Sequence, residues 1–311
     1  MPLPYSSQTC IITLVAASGF SLSPDIVKNA AQQINATHHD WLAKNEAVDI
    51  FCPPRPVQDL YAILATVIGD LPIDKIAQPA TTRRKKLLLA DMESTIIEQE
   101  MLDELANMLG MGSKIADITR RAMNGELDFA ASLHERASLL KSQPVKILEN
   151  AAKRITFMPG AKTLIATMRA NGTSCWLVSG GFTYFAQPVA QQLGFDRCFA
   201  NDLLISEGKI SGVVAQPILD KDSKKTLLEK AQSELNLTPA DAMTVGDGAN
   251  DIPMLAACNE KFGLGIAYHA KPRVRATIPH QINHSNLTAL LYAQGYKKED
   301  FKNAEGNRYA S

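Results

Sequence analysis

The chain has 311 residues, of which 46% are hydrophobic and 21% are charged, a composition typical of a globular protein long enough for two domains. Its 32 lysines and arginines equal its 32 aspartates and glutamates, so the charge balance indicates no nucleic-acid and no anionic-membrane partner. No apolar run approaches the roughly 18 residues that span a bilayer. The N-terminal segment has no basic residue before Lys28, which argues against a secretory signal and predicts a cytoplasmic location.

The five cysteines are scattered along the chain, and none belongs to a Cys-x-x-Cys pair. An odd, unpaired set favours small buried side chains in a reducing compartment over a disulfide or zinc framework. The histidines likewise show no spacing typical of a metal site, and His38 and His39 fall in a predicted loop.

Residues 1–80 have the pattern of a small α+β domain. Short apolar, β-branched runs predict strands over residues 9–16, 46–52 and 73–79. One helix is expected to follow Ser23, which stands before Pro24 as an N-cap residue should, and a second is expected over residues 57–69. The charged segment 81–86 is the predicted link to the next domain.

Residues 81–311 have the pattern of an α/β domain with a Rossmann-like parallel sheet. Nearly continuous apolar runs, separated by helical patterns, predict buried strands at residues 87–91, 174–180, around Phe199, 242–247 and 262–268. In open sheets of this kind the active site lies at the carboxyl ends of the strands. Asp91, Ser179 and Asp247 occur at those ends, so we expect them to lie close together.

The segment from about residue 97 to 157 is predicted to be a helical insertion. Helices are expected over residues 98–109, 113–123 and 128–141, the last with Asp128 as its N-cap. An insertion directly after the first strand of the sheet would lie over the strand ends and could act as a lid.

Two acidic turns suggest a magnesium site. Asp91 and Glu93 follow one predicted strand, and Asp247 and Asp251 follow another across a tight small-residue turn. Carboxylates on neighbouring strand ends can together supply the hard oxygen ligands that Mg²⁺ prefers. Taken singly, Asp91 could equally cap a helix, and the second turn could simply connect a strand to a helix.

Ser179, the glycines after it and Lys224 suggest a phosphate site. A hydroxyl group and open backbone N–H groups at a strand end suit phosphate oxygens. Lys224 opens a helix, where a cation opposes the helix dipole, so a bound anion would explain it. The alternatives are an ordinary Ser-Gly-Gly turn and a solvated run of charge.

These motifs occur in a familiar order: DMEST at 91–95, SGG at 179–181, the helix-opening Lys224 and GDGAND at 246–251. In this order and spacing the chain resembles the haloacid-dehalogenase superfamily. The sequence at 118–140, ITRRAMNGELDFAASLHERASLL, is similar to the cap of its phosphoserine phosphatases. The first 80 residues resemble the ACT-like extension, a ferredoxin-like fold, that some members carry.

The resemblance implies an Mg²⁺-dependent enzyme that hydrolyses O-phospho-L-serine in the last step of serine biosynthesis. By this resemblance Asp91 is the nucleophile and Glu93 the general acid and base. The implied metal ligands are Asp91, the backbone carbonyl of Glu93, Asp247 and Asp251.

The resemblance also implies the groups that bind the substrate. Those that hold the phosphoryl oxygens are Ser179, Gly180, Lys224 and Asn250. Those that bind the serine part and seal the site are Glu100, Met123, Phe129 and Arg136.

The cap sequence can also be interpreted without the family. Arg136 falls on an otherwise apolar helix stripe and therefore needs a partner when that face is covered, and a carboxylate suits it best. That carboxylate could belong to the substrate or to a structural glutamate. Glu100 could bind the substrate ammonium group or could belong to an ordinary acidic helix start.

The chain departs from the family pattern Asp-x-Asp at position 93, where it has glutamate. The longer side chain must fold back to reach the same leaving oxygen, while a backbone carbonyl ligand is unaffected. A glutamate at this position also occurs in a related branch that transfers phosphate from phosphoserine to homoserine. A phosphotransferase is therefore the alternative enzyme, and an amino-acid-sensing protein without catalysis is the non-enzymatic one. ACT-like units often pair through their sheets, so a homodimer is also considered.

Overall fold

The computed structural model describes residues 9–123 and 126–303. The first six elements alternate in the order βαββαβ. They are β1 (Cys10–Ala16), α1 (Pro24–Gln33), β2 (His38–Ala43), β3 (Ala47–Cys52), α2 (Val57–Ile68) and β4 (Ile73–Pro79). Ser23 caps α1, as predicted: its hydroxyl oxygen accepts a hydrogen bond from the backbone N–H of Ile26 at 3.3 Å.

In the rest of the described chain, strands and helices alternate except at two places: five helices follow the first strand, and three strands follow one another later in the chain. The first strand is β5 (Leu87–Ala90), and the first four of the five helices are α3 (Met101–Met108), α4 (Gly112–Met123), α5 (Phe129–Ser138) and α6 (Lys146–Ala152). The chain continues with α7 (Ala161–Ala170), β6 (Ser174–Phe182), α8 (Thr183–Leu193), β7 (Arg197–Asn201), β8 (Leu203–Ser206), β9 (Lys209–Val214) and α9 (Lys221–Glu234). The last elements are β10 (Ala242–Gly246), α10 (Ile252–Asn259), β11 (Leu264–Tyr268), α11 (Pro272–Thr277), β12 (His280–Ile282) and α12 (Ala289–Ala293).

One ten-stranded sheet runs through the described chain in the order β2-β3-β1-β4-β12-β11-β10-β5-β6-β7. The strands from β12 to β7 are parallel, and β2, β3, β1 and β4 pair antiparallel. The two parts join where Gln281 of β12 lies opposite Lys75 of β4. The α/β fold with a mainly parallel sheet, predicted from the apolar runs, is confirmed.

The parallel strands are apolar along their whole length because both faces of the sheet are covered. Successive side chains point to opposite faces, so Leu88 and Ala90 enter one core and Leu87 and Leu89 enter the other. The antiparallel part has a third core, built from one face of β1 and β3 with α1 and α2. Its opposite face packs against α12.

Some predicted details are wrong. His38 and His39 are not in a loop but begin β2, an edge strand whose exposed polar side chains conceal the apolar alternation of a strand. The hairpin of β8 and β9 and the short β12 were not predicted. In the insertion, α3 and α5 are shorter than predicted, whereas α4 begins one residue before the predicted start and ends where predicted. The helix α6 was not predicted. The segment after β4 forms a 3-10 turn, and Arg83 is fixed by the carboxylate of Asp49 and by the carbonyls of Tyr292 and Ala293.

The four-helix insertion is closed at its base, where Ile97 and Phe157 form a β-bridge. All five cysteines are free; Cys198 is half-buried and the other four are buried. Within the described ranges, no helix combines the length and apolarity needed to cross a membrane.

Candidate active site

The strand ends bring three polar side chains together. Asp91 directly follows β5, whose neighbours are β10, followed by Asp247, and β6, which contains Ser179. The backbone N–H of Asp91 donates to the carbonyl of Val245 at 3.0 Å, which extends the pairing of β5 with β10 to the first residue after β5. Asp91, Ser179 and Asp247 are all buried.

Lys224 forms the inner ion pairs of the site. It lies in the first turn of α9 and is fully buried, and its Nζ is 2.6 Å from Asp91 Oδ1 and 2.6 Å from Asp251 Oδ1. Burial would lower the pKa of Lys224, but the carboxylates of Asp251 and Asp91 raise it above its ordinary value. The ammonium group therefore stays charged. The alternative interpretation, that Lys224 belongs to a solvated run of charge, is excluded because its side chain is buried.

Three buried carboxylates form a cluster that fits a divalent cation. Ligand oxygens of Asp91, Asp247 and Asp251 all lie within 4.8 Å of one another. Burial and the charge of Asp251 raise the pKa of Asp91 well above its usual range. The pKa of Asp247 rises to about 6, mainly through burial. Carboxylates held this close repel one another, and hard oxygen donors around a small space are what Mg²⁺ prefers, so the residues present fit that ion.

Glu93 lies in the turn after Asp91, and its carboxylate folds back into the site. Oε1 accepts a hydrogen bond from the backbone N–H of Met101 at 2.9 Å. The carboxylate also lies against Gly181, where a Cβ atom would be 2.8 Å from Oε2. Burial, with the charge of Glu100, raises the pKa of Glu93 to about 7. A carboxyl group with this pKa can both give and take a proton near neutral pH.

Ser179, Gly180 and Gly181 form the crowded last part of β6, where the pairing with β7 is irregular between Val178 and Phe182. The Ser179 hydroxyl oxygen accepts the backbone N–H of Gly181 at 2.9 Å. A Cβ atom at Gly180 would lie 3.0 Å from the Phe129 ring and 3.8 Å from Asn250 Nδ2, so Gly180 lies directly under the insertion and beside the second acidic turn. Phe129 and Asn250 thus reach the same place as the strand ends.

The insertion also brings Glu100 and Arg136 to the site. Both charges act on the pKa of Glu93, which places them within electrostatic range of it. Glu100 Oε1 accepts a hydrogen bond from the Ser94 hydroxyl at 2.9 Å. Arg136 Nε donates to the carbonyl of Ser132 at 3.3 Å, and no carboxylate of the described residues lies within 4.0 Å of its guanidinium group. The side chain of Met123 lies outside the part of the chain that the structure describes.

Two residues of the site were missed by the sequence analysis. Asn201 at the end of β7 donates to the carbonyl of Gly180 at 2.9 Å and accepts the N–H of Leu219 at 2.7 Å, so it connects the end of β6 to the segment before α9. Lys271 follows β11, and its Nζ is 3.3 Å from Asp247 Oδ2 and 3.5 Å from Glu100 Oε1. The rule that found Asp91 and Asp247, a polar residue directly after a buried strand, would have selected His269 after β11, because Lys271 stands three residues beyond that strand. No signal marks Asn201.

Comparison with known proteins gives one family model, that of haloacid dehalogenase-like hydrolases, which matches residues 88–256. The chain is 42% identical over 207 residues to the phosphoserine phosphatase of Lactococcus lactis, a match that covers 67% of this chain and 94% of that protein. It is 38% identical over 222 residues to the phosphoserine phosphatase of Archaeoglobus fulgidus, a match that covers 71% of this chain but only 63% of that relative.

A solved structure is similar over nearly the whole chain. The crystal structure of a haloacid dehalogenase family hydrolase from Salmonella enterica serovar Typhi matches with a TM-score of 0.81 and 30% identity. The match covers 92% of this chain and 98% of that one, so it includes strands from both the parallel and the antiparallel part of the sheet.

Proposed function

Because the chain belongs to the haloacid dehalogenase-like hydrolase family, we propose that it is a phosphatase that hydrolyses O-phospho-L-serine to L-serine and phosphate. The observation that carries the chemistry is the buried pair of Asp91 with Lys224, whose Nζ and Oδ1 are 2.6 Å apart at the end of β5. The substrate is suggested by the two relatives, both phosphoserine phosphatases.

In the proposed first half-reaction, an oxygen of Asp91 attacks phosphorus and the bond from phosphorus to the serine oxygen breaks. Glu93 gives its proton to the departing serine oxygen, and Asp91 then carries the phosphoryl group as an aspartyl phosphate. In the second half-reaction Glu93 takes a proton from water, whose oxygen attacks phosphorus. The Asp91 carboxylate is restored and inorganic phosphate leaves.

The remaining groups around Asp91 stabilise charge. Lys224, Ser179, Gly180 and Asn250 surround the place where the phosphoryl oxygens would lie, and fixed donors of this kind supply most of the catalysis in phosphoryl transfer. Asp91, the backbone carbonyl of Glu93, Asp247 and Asp251 would hold Mg²⁺. When bound, the ion supplies positive charge that offsets the repulsion between a carboxylate and a phosphate dianion.

The insertion supplies the proposed serine-binding groups. Arg136, which has no carboxylate partner within the described residues, would bind the substrate carboxylate, and Glu100 would bind the ammonium group. Phe129, packed over Gly180, and Met123 would close the site around the substrate. A closed cap keeps water from the first half-reaction.

The division of the chain is also a proposal. We place an ACT-like domain at residues 1–80 and the phosphatase domain at 81–311, with its cap at about 97–157. The βαββαβ order and the strand order β2-β3-β1-β4 support this, since they are those of a ferredoxin-like fold. A cytoplasmic location and a homodimer belong to the same proposal, and light scattering of the purified protein would test the dimer.

The decisive test is the variant Asp91→Asn, with Asp222→Asn on the exposed side of α9 as its matched control. We expect Asp91→Asn to abolish phosphate release from phosphoserine while the circular dichroism spectrum stays that of the native protein, because the amide cannot form the acyl phosphate. The control should keep native activity. Substantial turnover by Asp91→Asn would contradict the mechanism.

Substrate and acceptor are tested by phosphate release from a panel of phosphomonoesters, with and without Mg²⁺ and with added homoserine. The proposal expects Mg²⁺-dependent, selective turnover of phosphoserine with one phosphate released per serine. Formation of phosphohomoserine would instead identify a phosphotransferase.

A further inference from the structure

Lys271 is a cation at the mouth of the site that neither the strand-end motifs nor the proposed mechanism uses. It stands between β11 and α11, where its backbone N–H donates to the carbonyl of Asp247 at 3.0 Å. Lysine is not among the residues that favour the N-cap position of a helix, so capping does not explain it. Its side chain instead reaches back to Asp247 and Glu100.

The carboxylates of the site are divided between two lysines. Lys224 pairs with Asp91 and Asp251, and Lys271 pairs with Asp247 and Glu100. Among the described residues, no other cation lies within 4.0 Å of Asp247. Lys271 therefore supplies the only close positive charge that the structure shows beside this buried carboxylate.

The two lysines differ in their freedom to move. The side chain of Lys224 is 0% exposed, whereas that of Lys271 is 61% exposed and extends from solvent onto Asp247. Withdrawing Lys224 would leave the buried carboxylates of Asp91 and Asp251 without a cation, but Lys271 can turn into solvent on its flexible stem. Of the two lysines, only Lys271 can move away from its carboxylate partners without disturbing the buried core.

The partners of Lys271 are the groups to which the loaded site would bring other cations. Asp247 would hold the divalent ion, and Glu100 would meet the ammonium group of the substrate. We propose that Lys271 is a displaceable counter-cation: it pairs with Asp247 and Glu100, and it is released when the divalent ion and the amino group of the substrate bind to these carboxylates. This inference rests on the proposed function for the identity of the two incoming cations.

Lys271 would compete with the incoming divalent ion for Asp247 and with the substrate ammonium group for Glu100. Lys271→Met keeps the length of the side chain and removes its charge. It should therefore tighten Mg²⁺ binding, measured by calorimetry on the purified protein, by about fivefold, the size expected of one partly exposed ion pair. Lys271→Arg keeps the charge and should bind Mg²⁺ like the native chain. Lys28→Met, on exposed α1, controls for the change in net charge and should also leave binding unchanged.

The thermal stability of the same variants separates this role from a structural one. Without Mg²⁺, Lys271→Met should melt below the native protein, because Asp247 and Glu100 lose the positive charge that pairs with them. Saturating Mg²⁺ should close that gap. A lysine that only supports the fold would lower the melting temperature equally with and without the ion.

The second part of the proposal, that the substrate amino group displaces Lys271 from Glu100, is tested at saturating Mg²⁺. Lys271→Met should lower KM for phosphoserine several-fold and leave unchanged the inhibition constant of phosphoglycolate, which has no amino group, as a competitor of phosphoserine. In the Glu100→Gln background the same change should leave both constants unaltered. Mg²⁺ binding by Lys271→Met that is unchanged, weaker or absent would overturn the proposal. Because Mg²⁺ binding needs no turnover, failure to hydrolyse phosphoserine would refute the proposed function separately.

Discussion

Glu93 is the residue at which this chain differs from the Asp-x-Asp pattern of the family it resembles. Its extra methylene group is accommodated because the carboxylate folds back against Gly181, where no Cβ atom could fit, and is held by the N–H of Met101. Burial gives it a pKa of about 7. A glutamate in this position, with a pKa near neutral pH, can act as a general acid and base.

The role of Glu93 can be tested with three variants. Glu93→Gln should lower kcat for phosphoserine by about 10²-fold or more, since the amide cannot move a proton. Glu93→Asp keeps the acid but withdraws it from the site, so its kcat should fall between those of the Gln variant and the native chain. The exposed Glu98→Gln is the control. If Glu93→Gln turned over at the native rate, another residue would have to be the acid.

The four-helix insertion is fixed at two places. Its base is closed by the bridge of Ile97 with Phe157, and the segment between α5 and α6 is held by β9 of the hairpin. There the N–H of Ser142 donates to the carbonyl of Ile210 at 2.8 Å, and the N–H of Ile210 donates to that of Gln143 at 2.9 Å. The hairpin thus supports the end of the helix that carries Phe129 and Arg136.

Two glycines of the hairpin show how closely it packs against the insertion. Gly208 and Gly212 both have positive φ, 72° and 78°, but a Cβ atom at Gly208 would meet open space whereas one at Gly212 would lie 2.9 Å from Lys141 Cβ. Gly208→Ala should therefore cost about 1 kcal/mol of unfolding free energy through backbone strain alone. Gly212→Ala should cost at least about 1 kcal/mol more because the cap must move. Urea unfolding would measure the free energy of unfolding of both variants. An equal decrease in the two would show that Gly212 does not pack closely against the cap.

At the scale of the whole molecule, a buried polar seam joins the antiparallel and parallel parts of the sheet. The carboxylate of Asp74 on β4 accepts the backbone N–H groups of Asn283 at 2.7 Å and Ser285 at 2.8 Å, just after β12. The Tyr61 hydroxyl of α2 shares a 2.8 Å hydrogen bond with Nδ1 of His280 on β12. Polar groups buried this way hold the two parts in one arrangement, because parting them would leave the groups without partners.

The seam predicts how stability depends on pH. Burial lowers the pKa of His280 from 6.5 to about 4, so the unfolded chain takes up its proton first as the pH falls. The contribution of His280 to stability is therefore complete above pH 6.5 and is lost between about pH 6.5 and pH 4, by about 2 kcal/mol at pH 5. His280→Gln should remove this part of the pH dependence in urea unfolding, whereas exposed His39→Gln should not. Parallel pH profiles for the native chain and His280→Gln would contradict the prediction.

Much of the molecule follows from local sequence. The strand β5 is predictable because LLLA is apolar on both faces, and the caps of α1 and α5 are predictable because Ser23 and Asp128 stand where an orphan N–H needs an acceptor. The strand β2 was missed because an edge strand can be polar, and β12 because three residues carry too little pattern.

The sequence by itself determined which residues carry the proposed chemistry, since Asp91, Ser179, Lys224 and Asp247 stand at the ends of recognisable elements. Only the tertiary structure decided what surrounds them. Lys224 is an inner ion pair and not a solvated charge, Glu93 fits because Gly181 lies beside it, and Lys271 bridges Asp247 and Glu100. The physical reason is that periodicity and capping are local, whereas the distance between two charges and the burial that strengthens their interaction depend on segments far apart in the chain.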